Sequence, residues 1–425
     1  MPFSQRRTEN FIHELEIQGM TSAKYWKIKV ISLFLALVLG SADVAQAQTM
    51  PFPQWLDELK AEAVARGVKL STLEHALAGV QPIKRVIELD RRQPEFTLTF
   101  WKYLSNSVND RRIRRGKELL ETHRALLEKV SRKYGVQPRF LVAFWGLESN
   151  FGTYTGTFPV VGALVTLAYD PRRAKFFREQ LLAALSLIND GHMPSTVKGS
   201  WAGAMGNHQF IPTTYRDFAV DFNGDGRRDL WNSLPDIFAS AANYLRRSGW
   251  DEQYTWGREV RMPRDFDFEL SGLDTKKTMS EWQKLGVRRF DGRDLPDVDI
   301  KGSLIVPAGF EGPAFLVYKN YRTVLVWNRS IFYAIAVGHL ADRLIGGGPL
   351  LADRPDNEAP MSRSDVAAMQ RLLAKHGYDP GGSDGVIGPL TRKAVKSFQK
   401  SRNLPPDGFP SAKFLERLRG AGNTQ

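Results

Sequence analysis

The chain has 425 residues, 42% of them apolar, no cysteine and a formal net charge of +13. That length allows about three domains with real cores. The lack of cysteine excludes disulfides, thiolate metal sites, cysteine nucleophiles and lipid attachment through a cysteine.

At the N-terminus, Lys24, Lys27 and Lys29 precede the apolar run Val30 to Gly40, and Ala45-Gln46-Ala47 supplies small residues around a cleavage point. This is the layout of a secretory signal, and the run is shorter than the ~20 residues needed to span a bilayer. Residues 1–47 are therefore expected to be a signal peptide with an upstream extension, Met20 being a second candidate start. They hold five Lys or Arg against four Asp or Glu, so the remainder carries +12. A basic exported protein meets anionic lipid or a wall polymer bearing carboxylates rather than nucleic acid. A periplasmic monomer is expected.

From Trp55 to about Tyr134, apolar residues recur at helical spacing, for example Leu119, Leu120, Leu126, Leu127 and Val130, and Gly135 closes the last of these helices. Pro138 opens the next, which ends in Phe144-Trp145-Gly146-Leu147-Glu148-Ser149-Asn150-Phe151-Gly152. A carboxyl hemmed in by Phe144, Trp145, Leu147 and Phe151 loses hydration in its charged form, so its pKa is expected to rise, as a general acid near neutral pH requires. A glutamate at a helix end also serves simply to bond neighbouring backbone or an arginine.

Further helical patterns run from Ala174 to Ile188 and from Pro235 to Arg247. Between Trp256 and Trp327 the texture changes to short alternating runs such as Ser303 to Val306 and Ala314 to Tyr318, broken by Pro307, Gly309 and Gly312. This predicts a small β-rich insertion over about 256–330. Helical spacing returns at Tyr333 to Ile345, followed by a Gly- and Pro-rich linker over 346–360 that reads as flexible. Beyond it, 361–420 forms a separate module with helical patterns at Val366 to His376, Leu390 to Ser401 and Ser411 to Arg419.

Two loops carry polar groups among small residues. In Gly199 to Pro212, glycine and alanine let a ligand ring approach, while Ser200 and Gln209 offer groups that orient a carboxyl or an acetamido group; tight packing is the competing reading. In Asp221-Phe222-Asn223-Gly224-Asp225-Gly226, oxygen ligands stand at positions 1, 3 and 5 with glycine at 6, as in a calcium loop. Position 12 is Asn232 instead of a bidentate glutamate, so Asp236 has to serve; a metal-free Asx-rich turn is the alternative. Arg172 and Arg173 either start a helix in solvent or grip carboxylates. His208 is expected at the surface or in a groove. No His-Glu-x-x-His pair, Gly-x-Ser-x-Gly elbow or phosphate-cradling loop occurs.

Together, Glu148 to Gly152, Asp170-Pro171-Arg172-Arg173, Gly199 to Gln209 with Phe210-Ile211-Pro212, the Asp221 loop and Ala242-Asn243-Tyr244-Leu245 resemble the lytic murein transglycosylase B family over residues 50 to 345. The resemblance implies a mainly α, lysozyme-like catalytic domain (48–345) of the goose-type and soluble lytic transglycosylase kind, with a deep groove and Glu148 as its single acid and base. It implies that Ser200 and Gln209 orient the acid and the substrate, that Tyr103, Arg172, Arg173, Phe210, Tyr244, Asn328 and Tyr333 line the groove, and that Asp221, Asn223, Asp225 and Asp236 hold a structural calcium. No cofactor is implied for catalysis. Trp327 stands where the family leads one to expect a tyrosine, and Asn207-His208 replaces smaller residues.

The implied reaction is non-hydrolytic cleavage between N-acetylmuramic acid and N-acetylglucosamine, leaving 1,6-anhydromuramic ends. A hydrolytic muramidase and a non-catalytic wall-binding scaffold remain the alternatives. The tail, with Asp384-Gly385-Val386-Ile387-Gly388-Pro389-Leu390-Thr391, Phe398-Gln399 and Asp407-Gly408, is similar to the three-helix peptidoglycan-binding module; a helical dimerisation domain is the rival reading. The implied partners are peptidoglycan glycan strands and, beside them, cell-wall synthesis proteins.

Overall fold

The computed structural model describes residues 50–91, 98–354 and 359–421. The expected signal segment lies outside them. From Pro51 onward the chain is one compact unit with four apolar cores.

The first core forms around Pro138–Ser149, the helix that carries Glu148, which packs mainly against Ile331–Leu344 and also against Asp110–Thr122 and Arg124–Tyr134. Phe140 through Gly146 are all buried, so this helix shows no polar face until its last turn. It is a central helix, and Glu148 sits where it emerges. The second core joins Phe52–Ala65, Leu70–Ala76, Val160–Tyr169, Ala174–Asn189 and Pro212–Phe218. Val160–Tyr169 was not legible as a helix because residues 160–168 are buried on every side, which erases the amphipathic period.

The predicted β insertion is present as a five-stranded antiparallel sheet. Its order is Lys277–Thr278, Lys301–Ile305, Ala314–Val317, Gly257–Arg261, Arg288–Arg289. Two helices fall in the stretch read as β: Met279–Lys284, closed by a Thr278/Glu281 capping box, and Lys319–Trp327. The second ends at Trp327 and delivers that side chain to the acid.

The C-terminal module is a three-helix unit, Arg363–Lys375, Pro389–Ser401 and Ala412–Ala421, around Val366, Met369, Leu373, Val395, Phe398 and Leu418. Buried Gln370 holds its turns together, accepting from Gly385 N and donating toward Asp384, Val386 and Thr391. The linker before it is less free than its composition suggests: Glu259 accepts the backbone N–H of Leu351 and of Ala352 at 2.8 Å each. The module rests on the β insertion. Lys396 Nζ donates to the carbonyls of Phe268, Glu269 and Ser271, and Asp407 accepts Phe310 N at 2.8 Å.

Candidate active site

Three features stop the central helix at Glu148. Asn150 (φ 50°) and Phe151 (φ 60°) both take left-handed backbone conformations, which costs free energy for residues with side chains. Ser149 Oγ accepts the Gly152 N–H at 2.9 Å. The Phe151 ring folds back edge-on to Trp145, over Gly146, where a methyl group would meet it at 2.7 Å. This tight reversal leaves Glu148 half-buried at the helix end.

Two donors meet one of its oxygens. Trp327 Nε1–H donates to Glu148 Oε1 at 2.9 Å, and the Tyr333 hydroxyl donates to the same oxygen. Burial, then the charge and hydrogen bond of Glu148, push the Tyr333 hydroxyl well above its ordinary range, so it remains a donor. Trp327 is caged by rings: Phe144 at 4.6 Å, Tyr244 at 4.9 Å, Phe210 at 5.4 Å and His208 at 6.1 Å between centroids. Burial raises the Tyr244 hydroxyl, which points to the Val326 carbonyl. Tyr103 packs against the Phe332 ring at 5.8 Å and acts electrostatically on the Tyr333 hydroxyl. Asn328 caps the Trp327 helix and accepts Ser330 N.

The small-residue loop is not helical. Met205 and Phe210 exchange a pair of backbone hydrogen bonds at 2.9 Å, and Gln209 is held at φ 50° between them. Its side-chain amide donates to the carbonyls of Thr155 and Gly206, which binds this loop to the segment after Glu148. The Ser200 hydroxyl accepts the N–H of Ala202 and of Ala204 and closes the loop's first turn. Asn207 accepts from Trp145 Nε1 and donates to the Leu230 and Trp231 carbonyls.

His208 departs from expectation: it is buried, not in a groove, and both ring nitrogens lack a hydrogen-bond partner among the described residues. Burial pushes its pKa down to about 4, so it is neutral packing beneath Trp327. Arg172 and Arg173 converge on Asp90, whose side chain is 3% exposed; Arg172 Nη1 lies 2.9 Å from its carboxylate, and Arg173 binds the other oxygen. Their guanidinium groups are anchored, with about half and a third of each side chain still exposed.

Asp221, Asp225 and Asp236 place carboxylate oxygens within 4.8 Å of one another. Asp236, at the start of Leu234–Arg247, is fully buried and accepts the N–H of Phe222 and of Asp229. Burial works against ionisation of Asp221, but the N–H groups of Gly226, Gly224 and Asp225 win and hold its carboxyl below the usual range. Asn223 completes the loop, bonded to Asp225. Three converging carboxylates that pair with no Lys or Arg among the described residues fit a hard cation with oxygen ligands.

A cavity of about 640 Å³ lies elsewhere, at the opposite end of the acid's helix beside Pro138, Arg139 and Leu344. The chemistry argues for the Glu148 end, where an acid and two donors converge. Sequence reasoning missed the donor role of Trp327, the Asn207 link and the Asp90 anchor. Trp327 and Asn207 gave a signal, the first as a tryptophan where the family pattern leads one to expect a tyrosine and the second as a replacement of a smaller residue; Asp90 gave none.

Comparison with known proteins gives a consistent picture. The family described as Transglycosylase SLT domain matches residues 51–342, and a peptidoglycan binding domain family matches residues 362–418. The chain is 29% identical over 253 residues to membrane-bound lytic murein transglycosylase B of Escherichia coli, covering 56% of this chain and 65% of that curated relative's length. It is similar to the crystal structure of SltB3 from Pseudomonas aeruginosa in complex with NAG-anhNAM-pentapeptide, with 47% identity, a TM-score of 0.84, and 87% of this chain and 99% of that one covered. It is also similar to the lytic transglycosylase Slt35 of Escherichia coli in complex with calcium, with 26% identity, a TM-score of 0.58, and 68% and 92% coverage.

Proposed function

The chain belongs to the Transglycosylase SLT domain family, and from that membership we propose that it is an exported lytic transglycosylase. It cleaves the MurNAc-GlcNAc β-1,4 bond of peptidoglycan and leaves 1,6-anhydromuramic ends. The observation that carries this reading is the placement of Glu148 at the end of a buried helix, held by donors from Trp327 and Tyr333. The complex of SltB3 with a NAG-anhNAM-pentapeptide supports the same substrate class.

In the proposed reaction, protonated Glu148 gives its proton to the glycosidic oxygen as the bond from that oxygen to muramic C1 breaks. The muramic acetamido oxygen supports the developing cation, in the manner of substrate-assisted glycosidases. Glu148, now a carboxylate, takes the proton of the C6 hydroxyl as O6 closes on C1. Tyr244 and Tyr103 offer ring faces to sugar, while Phe210, expected in the groove, is buried behind Tyr244 and Trp327; Asn328, Ser200 and Gln209 offer polar groups; Arg172 and Arg173 offer exposed guanidinium edges to anionic stem peptide. The aromatic cage around Trp327 keeps water from the cation, which would otherwise give hydrolysis.

A calcium ion in the Asp221, Asn223, Asp225, Asp236 loop would brace the segment that supports Asn207. The C-terminal module would add a second grip on the wall, in the periplasm, where cell-wall synthesis proteins are the neighbouring partners.

Digestion of purified sacculi tests the reading. Wild-type protein is expected to release anhydro-muropeptides, and Glu148→Gln to lower the rate at least about 10³-fold. Products heavier by one water would favour a muramidase. No release, or an equally active glutamine variant, would leave the scaffold reading.

A further inference from the structure

Most of the groups around Glu148 belong to a pattern the sequence already resembled; Trp327 does not. Its indole N–H is a donor that cannot accept and does not ionise near neutral pH. It points at Oε1, the oxygen that also receives the Tyr333 hydroxyl. An oxygen that accepts from both is best served as a carbonyl or anionic oxygen, and least well as the hydroxyl oxygen of a carboxylic acid. Four rings fix the indole, so the donor is preorganised and does not have to be recruited when substrate binds.

We propose that Trp327 is a positioning residue that, with Tyr333, reserves Oε1 of Glu148 as the accepting oxygen and so makes Oε2 the atom that both delivers and recovers the proton. This rests on the transglycosylase reading above. In the first half, the O–H bond at Oε2 breaks, its proton goes to the glycosidic oxygen, and that oxygen keeps the electron pair of the broken C1–O bond. In the second, O6 forms its bond to C1 and its proton returns to Oε2. With one oxygen serving both halves the carboxyl need not rotate between them, and rotation would break both hydrogen bonds. Among the described residues, Tyr333 and, through it, Tyr103 face this oxygen, and Tyr244 and His208 face the indole. His208 is neutral above about pH 4, and burial holds the Tyr333 and Tyr244 hydroxyls above their ordinary range, so both stay protonated as donors near neutral pH.

The full chain is tested with Trp327→Phe and, to keep ring shape and packing, with benzothienylalanine at 327, in which sulfur replaces the N–H. The reaction is followed as release of anhydro-muropeptides from sacculi between pH 5 and 9. Losing a hydrogen bond to a charged group should lower kcat/KM about ten-fold or more. Each donor favours the carboxylate, so its removal keeps the acid protonated to higher pH, and the alkaline limb should move up by about one pH unit. The benzothienyl protein should melt as the wild type does. A wild-type rate and limb in that variant, or a slower rate with an unmoved limb, overturns the proposal. Wild-type protein that yields no anhydro product is a separate result, which removes the parent reading and this one with it.

Discussion

Asn207 accepts the indole N–H of Trp145 at 2.7 Å, and the same amide donates to the carbonyls of Leu230 and Trp231. One buried side chain thus joins three segments: the acid's helix, the small-residue loop and the strip that leads out of the carboxylate loop. Gly152 is drawn so close that a methyl group there would stand 2.3 Å from the Asn207 oxygen.

Replacing Asn207 by alanine leaves the Trp145 N–H and the Trp231 carbonyl without these partners. The cost should be about 2–3 kcal/mol in urea unfolding, with kcat reduced because the end of the acid's helix loses its support. Unchanged stability would mean that the link is dispensable.

Calcium should stabilise the fold through the Asp221 loop. With millimolar calcium, the melting temperature is expected to exceed that in chelator by about 3 °C or more, following mass action on the folded state. Asp236→Asn should abolish the difference. Superimposable melts of the wild type in both buffers would argue that the loop is an Asx turn that needs no ion.

His208 and His339 are both pushed by burial down to about 4. Between that value and the unfolded value near 6.5, the unfolded chain binds more protons, so stability rises with pH. The contribution is fully present above about pH 6.5 and is lost as pH falls toward 4, on the order of 2–3 kcal/mol per histidine. His208→Phe should flatten part of this slope in denaturant titrations from pH 7 to 4. A parallel pH dependence in the variant would show that the ring is not buried as a neutral group.

Lys396 uses its ammonium on three carbonyls of the β insertion, at 3.0, 3.2 and 3.4 Å. Lys396→Met should loosen the module, speed proteolytic cutting in the linker several-fold, and leave turnover of soluble fragments near wild type. Identical cutting rates would show that the remaining contacts, such as Asp407 with Phe310, suffice.

Periodicity and motif chemistry were enough to place the helices from Trp55 to Tyr134, the β insertion, the module and the acid at the end of an apolar helix. These are local properties: a helix face, a strand alternation or a Gly-rich turn is written in neighbouring residues. Val160–Tyr169 escaped because a helix buried on all sides has no polar face to give it a period. The partners of the site are set by contacts across long separations in the chain. Trp327 reaches Glu148 across 179 positions, and Arg172 reaches Asp90 across 82. Hydrogen bonds of that kind exist only once the cores have closed, and it was this closure that put His208 inside, turned two apparently free arginines onto one carboxylate and laid the module against the sheet.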